Sequence, residues 1–240
     1  MAKIFRYFLI GIFFVGGLAW GALKAPEFVA PGGAECDLKQ GIIKYYANGS
    51  QLIEANWEQM NFRAKYLEYY KNSEILNAKQ QVKITETMNT IKTLSCDELN
   101  YQHKNAVITA KQKVSLQAND LLISGQLLIW ERKNNLARLS GAPKLVYQDW
   151  EIIGSKFEAK LDQELFNIFG PVSGKNQELI FQADQVLFDR KQQKIYLEGN
   201  VVIVRQEREE LTANKVIYDL KTKKFRAVGP VKSRIIETQN

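Results

Sequence analysis

Apolar and polar residues alternate along most of the chain after residue 40, and the alternation recurs in units of similar length. The unit is clearest in "ADQVLFDRKQQKIYLEGNVVI" (Ala183 to Ile203) and "ANKVIYDLKTKKFRAVGPVKS" (Ala213 to Ser233). A period of two is typical of a strand with one buried face. The polar cluster in the middle of each unit has the composition of a tight turn. Each unit is therefore predicted to be a β-hairpin.

The same unit can be traced upstream, where each copy starts at a small residue that is followed three positions later by an apolar one. The starting points are Ala64, Cys96, Gly125, Gly154, Ala183 and Ala213. Repeats at a fixed period of this length indicate an array in which each unit contacts mainly its neighbours. The pattern predicts an all-β protein, open and extended, built from about six stacked hairpins.

Side chains two positions apart in a strand point the same way. Since the apolar residues of each unit also recur at every second position, they form one apolar face on the predicted strands. Over the six units this predicts two apolar rows that face each other or face a ligand. The ordinary explanation is a sandwich core. The alternative is a pair of splayed sheets that hold acyl chains between them. The candidate lining residues are Leu67, Tyr69, Leu99, Tyr101, Leu128, Trp130, Phe157, Val186, Phe188, Ile195, Leu197, Val216 and Tyr218.

The N-terminus has a different character from the rest of the chain. An uncharged run from Tyr7 to Leu23 follows Lys3 and Arg6, and about 20 apolar residues span a bilayer. Basic residues on the N-terminal side predict a cytoplasmic N-terminus and a translocated body. We expect a tail and anchor over 1–24, a linker over 25–40 and a periplasmic body over 41–240. A cleaved signal peptide is the alternative.

Two cysteines lie in the part of the chain predicted to be translocated. In an oxidising compartment Cys36 and Cys96 could form a disulfide. The alternative for Cys96 is a small buried residue, because it lies at the repeat position where other units have alanine or glycine.

The sequence predicts neither a catalytic site nor a metal or cofactor site. The one histidine, His103, lies in a predicted turn and is expected to be solvated, while Asp189 and Asp219 recur as turn residues. The net charge of +7 comes from lysines dispersed over turns and strand exteriors, which does not indicate a nucleic-acid surface. An anionic lipid headgroup is the partner expected for a basic protein held at a membrane.

The last predicted strand, Phe225 to Ile236, is expected to be an edge. Pro230 lacks a backbone N–H group and is typical of an edge strand, and an unblocked edge recruits another strand. We expect a partner to add to the sheet there. The candidate docking residues are Val228, Pro230, Val231 and Lys232.

Two long segments resemble one known family. "KYYANGSQLIEANWEQMNFRAKYLEYY" (Lys44 to Tyr70) resembles the opening of LptC-like proteins. "LEGNVVIVRQEREELTANKVIYDLKTKKFRAVGPVKSRI" (Leu197 to Ile236) is similar to the OstA-like or LptA-type repeat. The resemblance implies an open, twisted β-jellyroll that follows one transmembrane helix in the inner membrane.

The resemblance also implies a non-enzymatic function. Such a protein receives lipopolysaccharide from an inner-membrane ABC transporter (LptBFG-like), binds the lipid A acyl chains in its interior and passes them to a periplasmic LptA-like jellyroll. No cofactor is implied. The alternatives are a structural or adhesive β-repeat protein with a dry core, a soluble LptA-like carrier with a cleaved signal and, more remotely, a polysaccharide-active enzyme.

Overall fold

The computed structural model describes residues 25–86, 93–205 and 209–235. Within these ranges the regular elements are nineteen strands and one short 3-10 turn, Arg132–Asn134. The predicted all-β class is confirmed.

The strands differ in length, and the longest ones, of 12 residues, occur in both halves of the chain. The first seven are β1 (Glu27–Val29), β2 (Ala34–Asp37), β3 (Ile42–Tyr46), β4 (Ile53–Trp57), β5 (Met60–Ala64), β6 (Tyr66–Tyr70) and β7 (Ile75–Glu86). The next seven are β8 (Thr93–Gln102), β9 (Val107–Ala118), β10 (Leu121–Glu131), β11 (Leu136–Ser140), β12 (Lys144–Tyr147), β13 (Trp150–Ile153) and β14 (Lys156–Lys160). The last five are β15 (Leu165–Lys175), β16 (Leu179–Asp189), β17 (Lys194–Arg205), β18 (Glu209–Asp219) and β19 (Lys224–Ile235).

All nineteen strands join into one antiparallel sheet that is folded into two layers. The long strands run through both layers, with a register shift near the middle of each pairing, as between Gln182 and Gln185 in β16. What we call the first layer holds β2, β3, β6, β11, β14 and the halves of the long strands next to the repeated turns. The second layer holds β1, β4, β5, β12, β13 and the other halves.

A strand, a tight turn and a second strand lie at each of the six starting points read from the sequence. Asp189 and Asp219 act as turn residues: the Asp189 carboxylate accepts a hydrogen bond from the N–H of Gln192 at 2.8 Å, and that of Asp219 from the N–H of Thr222 at 2.9 Å. One expectation about these hairpins is corrected. Val186 and Leu197 pair side by side within the first layer, so the two apolar rows are neighbours and face the second layer instead of each other.

The layers meet along a line of bulges, which we call the fold line. There the chain adopts positive φ at Gly170 (+88°), Gly199 (+73°) and Gly229 (+94°), and at non-glycine residues such as Gln81 (+55°). Glycine enters this region without the Cβ clash that other residues meet. The recurring glycines of the repeat are therefore bend residues that let one strand serve two layers.

The core fills the space between the two layers. Aromatic rings meet across it. The ring centroid of Tyr147 in the second layer lies 5.0 Å from that of Phe188 in the first, and the centroids of Trp150 and Tyr218 are 5.1 Å apart. Trp57 similarly makes an edge contact with Tyr101 at 5.3 Å. Such contacts between large apolar faces supply most of the driving force for folding.

The linker expected over 25–40 is instead part of the sheet. β1 pairs with β4 in the second layer, and β2 pairs with β3 in the first. The strands of this segment have three and four residues, too few to show an alternating pattern, which is why they were not evident from the sequence. β1 and β2 form the N-terminal edges of the two layers.

The predicted membrane anchor, within residues 1–24, lies outside the described residues. In the part of the chain that the structure describes, none of the helices has the length and apolar character needed to cross a membrane.

The bend glycines generate a stability prediction. Gly170→Ala and Gly229→Ala both place a Cβ at positive φ, which costs about 1–2 kcal/mol. At Gly170 the added Cβ would also lie 2.0 Å from Ser155 Oγ and 2.8 Å from Ser155 Cβ, whereas nothing lies within 4 Å at Gly229. Urea unfolding of the two variants should show the larger loss of unfolding free energy for Gly170→Ala. Equal losses would contradict the assigned packing of the bend.

Candidate functional site

The thirteen residues predicted to line the interior all lie in the core between the layers. Each is buried, from 0% exposed at Leu67, Leu128, Val186 and Val216 to 9% at Tyr69. They belong to one continuous cluster with the apolar residues of the second layer. The structure therefore brings the predicted set together on one surface, and that surface is covered.

The covering residues come from strands, or from halves of long strands, that the repeat pattern did not single out. Phe62, Trp150, Ile152 and Phe181 project from the second layer and are at most 3% exposed. Trp150 contacts Phe181 at 5.7 Å between ring centroids. Along these covered strands, an acyl chain could enter the interior only if the two layers moved apart.

The C-terminal edge is the place where the interior opens to solvent. Every residue of β19 except Ala227 is exposed, because among the described residues β18 is its one strand partner. Phe225, Val231 and Ile235 are 38%, 45% and 80% exposed. A groove of about 560 Å³ lies here between the layers, lined by Ile203, Leu211, Phe225, Ile235 and the polar residues around them.

The predicted docking residues lie on this edge. Val228 pairs with Lys215 and Val231 with Ala213, so Pro230 lies in the bulge between them, and Lys232 pairs with Thr212. The other side of β19 has no strand partner among the described residues. Val228 is 41% exposed. The strand that contains Pro230 thus lies at an edge of the described sheet, as Pro230 predicted.

The long side opposite the fold line is closed by side chains. There the turns of the first layer meet the turns of the second, and we call this side the seam. Gln193 Nε2 of the first layer donates to the Tyr147 hydroxyl of the second at 2.8 Å. Arg190 Nη2 lies 2.6 Å from Asp120 Oδ1, and Lys223 Nζ lies 3.1 Å from Glu178 Oε1.

The densest part of the seam surrounds Arg132. Its Nη2 lies 2.6 Å from Glu86 Oε1, and the Glu86 side chain is only 2% exposed. Arg132 Nη1 donates to the Tyr101 hydroxyl at 3.3 Å. Burial lowers the pKa of Arg132, but the hydrogen bond and charge of Glu86 outweigh it, so the pKa is raised. Burial also raises the pKa of Tyr101 to about 12, against the effect of Arg132.

His103 belongs to the same cluster, and the expectation that it is solvated is wrong. Its side chain is 7% exposed and stacks on Trp57 at 4.5 Å. Nε2 lies 3.0 Å from Glu58 Oε1, and Nδ1 lies 2.9 Å from Glu74 Oε2. The sequence did not indicate the contact between His103 and Glu58, because the two residues are 45 positions apart.

Both cysteines are free, so the disulfide considered between Cys36 and Cys96 is not formed. Cys36 is exposed on the edge strand β2, whereas Cys96 is 4% exposed in the core. Cys96 thus matches the alternative of a small buried residue. Burial raises the pKa of its thiol to about 12.

A model of a known protein family matches the C-terminal part of the chain. Residues 147–239 match the family model described as lipopolysaccharide-assembly, LptC-related. The resemblance to LptC-related proteins is thereby confirmed over this part of the chain. The matched LptC-related region begins at the end of β12 and includes the whole C-terminal edge.

A solved structure is similar to this chain over most of the solved protein's own length. It is the crystal structure of LptH, described as the LptA homologous periplasmic component of the conserved lipopolysaccharide transport device from Pseudomonas aeruginosa. The similarity covers 50% of this chain and 95% of LptH, with a TM-score of 0.44 and 10% identity. No curated protein matches the sequence.

The cysteines generate a prediction about reactivity. In the folded protein a maleimide should label Cys36 and leave Cys96 unmodified, because a buried thiol with a raised pKa offers little thiolate. In denaturant without reductant both should react, which peptide mapping would show. Labelling of Cys96 in the folded protein, or of neither cysteine in denaturant, would contradict this assignment.

Proposed function

We propose that this protein carries lipopolysaccharide, or a related glycolipid, from the inner membrane across the periplasm. The match of residues 147–239 to LptC-related proteins supports a role in lipopolysaccharide transport in general. The observation that carries the finer proposal is the continuous apolar interior between two layers that are joined by backbone on one side only. The protein acts as a carrier and not as an enzyme.

The acyl chains of lipid A occupy the interior when the layers separate. The first layer supplies Leu128, Trp130 and Phe188 from successive hairpins, so the apolar surface continues along the array. Burying acyl chains there recovers the contacts that the layers lose on separation, because both are apolar burial of similar free energy per area. Binding is therefore an exchange of one apolar contact for another.

Transfer to the next protein takes place at the C-terminal edge. An exposed last strand offers main-chain N–H and C=O groups to an LptA-like jellyroll, and the exposed Phe225, Val231 and Ile235 continue the apolar interior into it. The N-terminal edges, β1 and β2, face the LptBFG-like transporter. The segment 1–24 holds the protein in the inner membrane with its N-terminus in the cytoplasm.

A second function is favoured by one observation. The interior side chains are 9% exposed or less, which is what a structural or adhesive β-repeat protein with a dry core would show. The two functions differ in whether lipid ever reaches the interior. The next experiment separates them.

Photo-crosslinking tests the proposed lipid path. A photoreactive residue at Trp130, Phe188 or Tyr218 should capture glycolipid in cells. Matched controls are the preceding residues Ile129, Leu187 and Ile217, which lie on the same strands and point away from the core. Labelling only at the interior positions supports the carrier. Equal labelling of both sets, or none at the interior set in folded protein, favours the dry core.

Proline substitutions test the docking edge. Val228→Pro and, separately, Lys232→Pro should weaken capture of an LptA-like jellyroll about tenfold, since each disturbs the main-chain groups of β19 that a partner strand would pair with. Glu35→Pro in β2 is the matched control at the opposite edge and should leave that capture unchanged. Circular dichroism identifies the variants that remain folded. Unchanged capture by both folded variants would remove the edge as the docking surface.

A further inference from the structure

The charges of the seam are divided between the two layers. Its principal cations, Arg132, Arg190 and Lys223, come from turns of the first layer. The carboxylates that they meet across the seam come from the second layer, and they are Glu58, Glu86, Asp120 and Glu178. Arg190 Nη1 also lies 3.0 Å from Glu164 Oε2, a carboxylate of a first-layer turn. When the layers separate, the first layer therefore keeps a row of cations beside its apolar face, and Arg190 retains Glu164.

Further lysines extend this row along the first layer. Lys133 Nζ donates to the main-chain carbonyl of Lys104 at 3.1 Å, and Lys191 Nζ to that of Asp162 at 2.7 Å. Each of these bonds joins one turn to a neighbouring turn of the same layer. The lysines are thus held along the seam, next to Arg132 and Arg190. We call these five residues, Arg132, Lys133, Arg190, Lys191 and Lys223, the cation row.

The carboxylates leave the buried guanidinium groups incompletely bonded. Arg132 Nε, Arg190 Nε and Glu86 Oε2 are buried without a hydrogen-bond partner in the described structure. A buried ion pair loses hydration that its mutual attraction only partly restores. A phosphate group offers three acceptor oxygens and the geometry to bind a guanidinium in bidentate fashion. A bidentate phosphate could bond the Nε–H that the carboxylates around each arginine leave without a partner.

We propose that the cation row binds the phosphate groups of an amphiphile whose acyl chains lie between the layers. In the free protein second-layer carboxylates pair with Arg132, Arg190 and Lys223, and the phosphate groups replace them as the seam opens. The proposal rests on the proposed function, because it needs acyl chains in the interior. It adds the place on this chain where the phosphate groups of that ligand bind.

The position of the seam fits such a ligand. At the fold line the backbone crosses between the layers at every long strand, so a polar headgroup has no path there. At the seam, the contacts between the layers that the described residues make come from side chains. Acyl chains can therefore lie inside while the phosphates remain at the rim, where Arg190 is 13% and Lys223 is 63% exposed.

Two substitutions in the same ion pair test the proposal. Equilibrium binding would be measured for the full chain in detergent micelles, with a diphosphorylated acylated disaccharide as the probe. Arg190→Gln should weaken binding about tenfold, the loss expected for a charge-assisted hydrogen bond. Asp120→Asn should strengthen binding severalfold, because it removes the competing carboxylate. A contact that only clasps the layers would shift affinity in the same direction in both variants.

Two further probes separate the sources of binding. The dephosphorylated disaccharide with the same acyl chains should bind more weakly, and Arg190→Gln should not weaken its binding. Inorganic phosphate alone should not compete at millimolar concentration. The matched control is Lys215→Gln, which breaks the Lys215–Glu198 pair away from the seam and should leave all affinities unchanged.

The outcomes are distinct. Binding of both disaccharides with equal affinity overturns the phosphate site and leaves the carrier function standing. A shift in the same direction for Arg190→Gln and Asp120→Asn also overturns the site. Binding of inorganic phosphate that depends on Arg190, without an effect on the disaccharide, assigns the row to free phosphate. Failure of the wild-type protein to bind either disaccharide overturns the proposed function together with this inference.

Discussion

The bend in the long strands is the constraint on which the rest of the structure depends. Because β16 to β19 each run through both layers, every hairpin contributes to the two faces of the core at once. The bend requires positive φ at a fixed place in each strand, which glycine meets at Gly170, Gly199 and Gly229. It also leaves the layers joined by backbone along one side only. The closed fold line and the side-chain seam are two results of the same geometry.

The ends of the array follow from this construction as well. Each strand is covered by its neighbour, so the last strand has its apolar side chains exposed: Phe225 and Val231 occupy the positions that Ile195 and Val201 fill, buried, in β17. The unpaired edge and the open interior thus coincide on β19. A partner that pairs with the edge must also cover these side chains. An exposed edge strand is a risk for aggregation unless charges protect it, and Lys224, Arg226 and Lys232 on β19 serve that need.

Much of this fold could be predicted from local pattern, and the limits have a physical cause. Period-two alternation placed Leu128 and Trp130, and also Val186 and Phe188, on one buried face because side-chain direction is a local property of a strand. The repeat placed Cys96 in the core for the same reason. The pattern did not show that the long strands continue through a bulge into a second layer. In β16, for example, the extra residue of a bulge shifts the apolar positions from odd to even numbers, so the two halves of the strand look like separate strands. β1 and β2 were missed because they have only three and four residues and their pairing with β4 and β3 is a tertiary contact.

The seam was the least predictable part, because its contacts join residues far apart in sequence. Glu86 and Arg132 are 46 residues apart, and Asp120 and Arg190 are 70 apart. Read alone, Arg132 and Arg190 are turn residues in a basic protein, and only the fold gives them partners. Buried ion pairs are poor contributors to stability compared with apolar packing, and this core does not lack apolar residues. In the proposed carrier the seam is the side that opens, because the contacts that the described residues make across it come from side chains. The fold line, in contrast, cannot part without breaking the strands themselves.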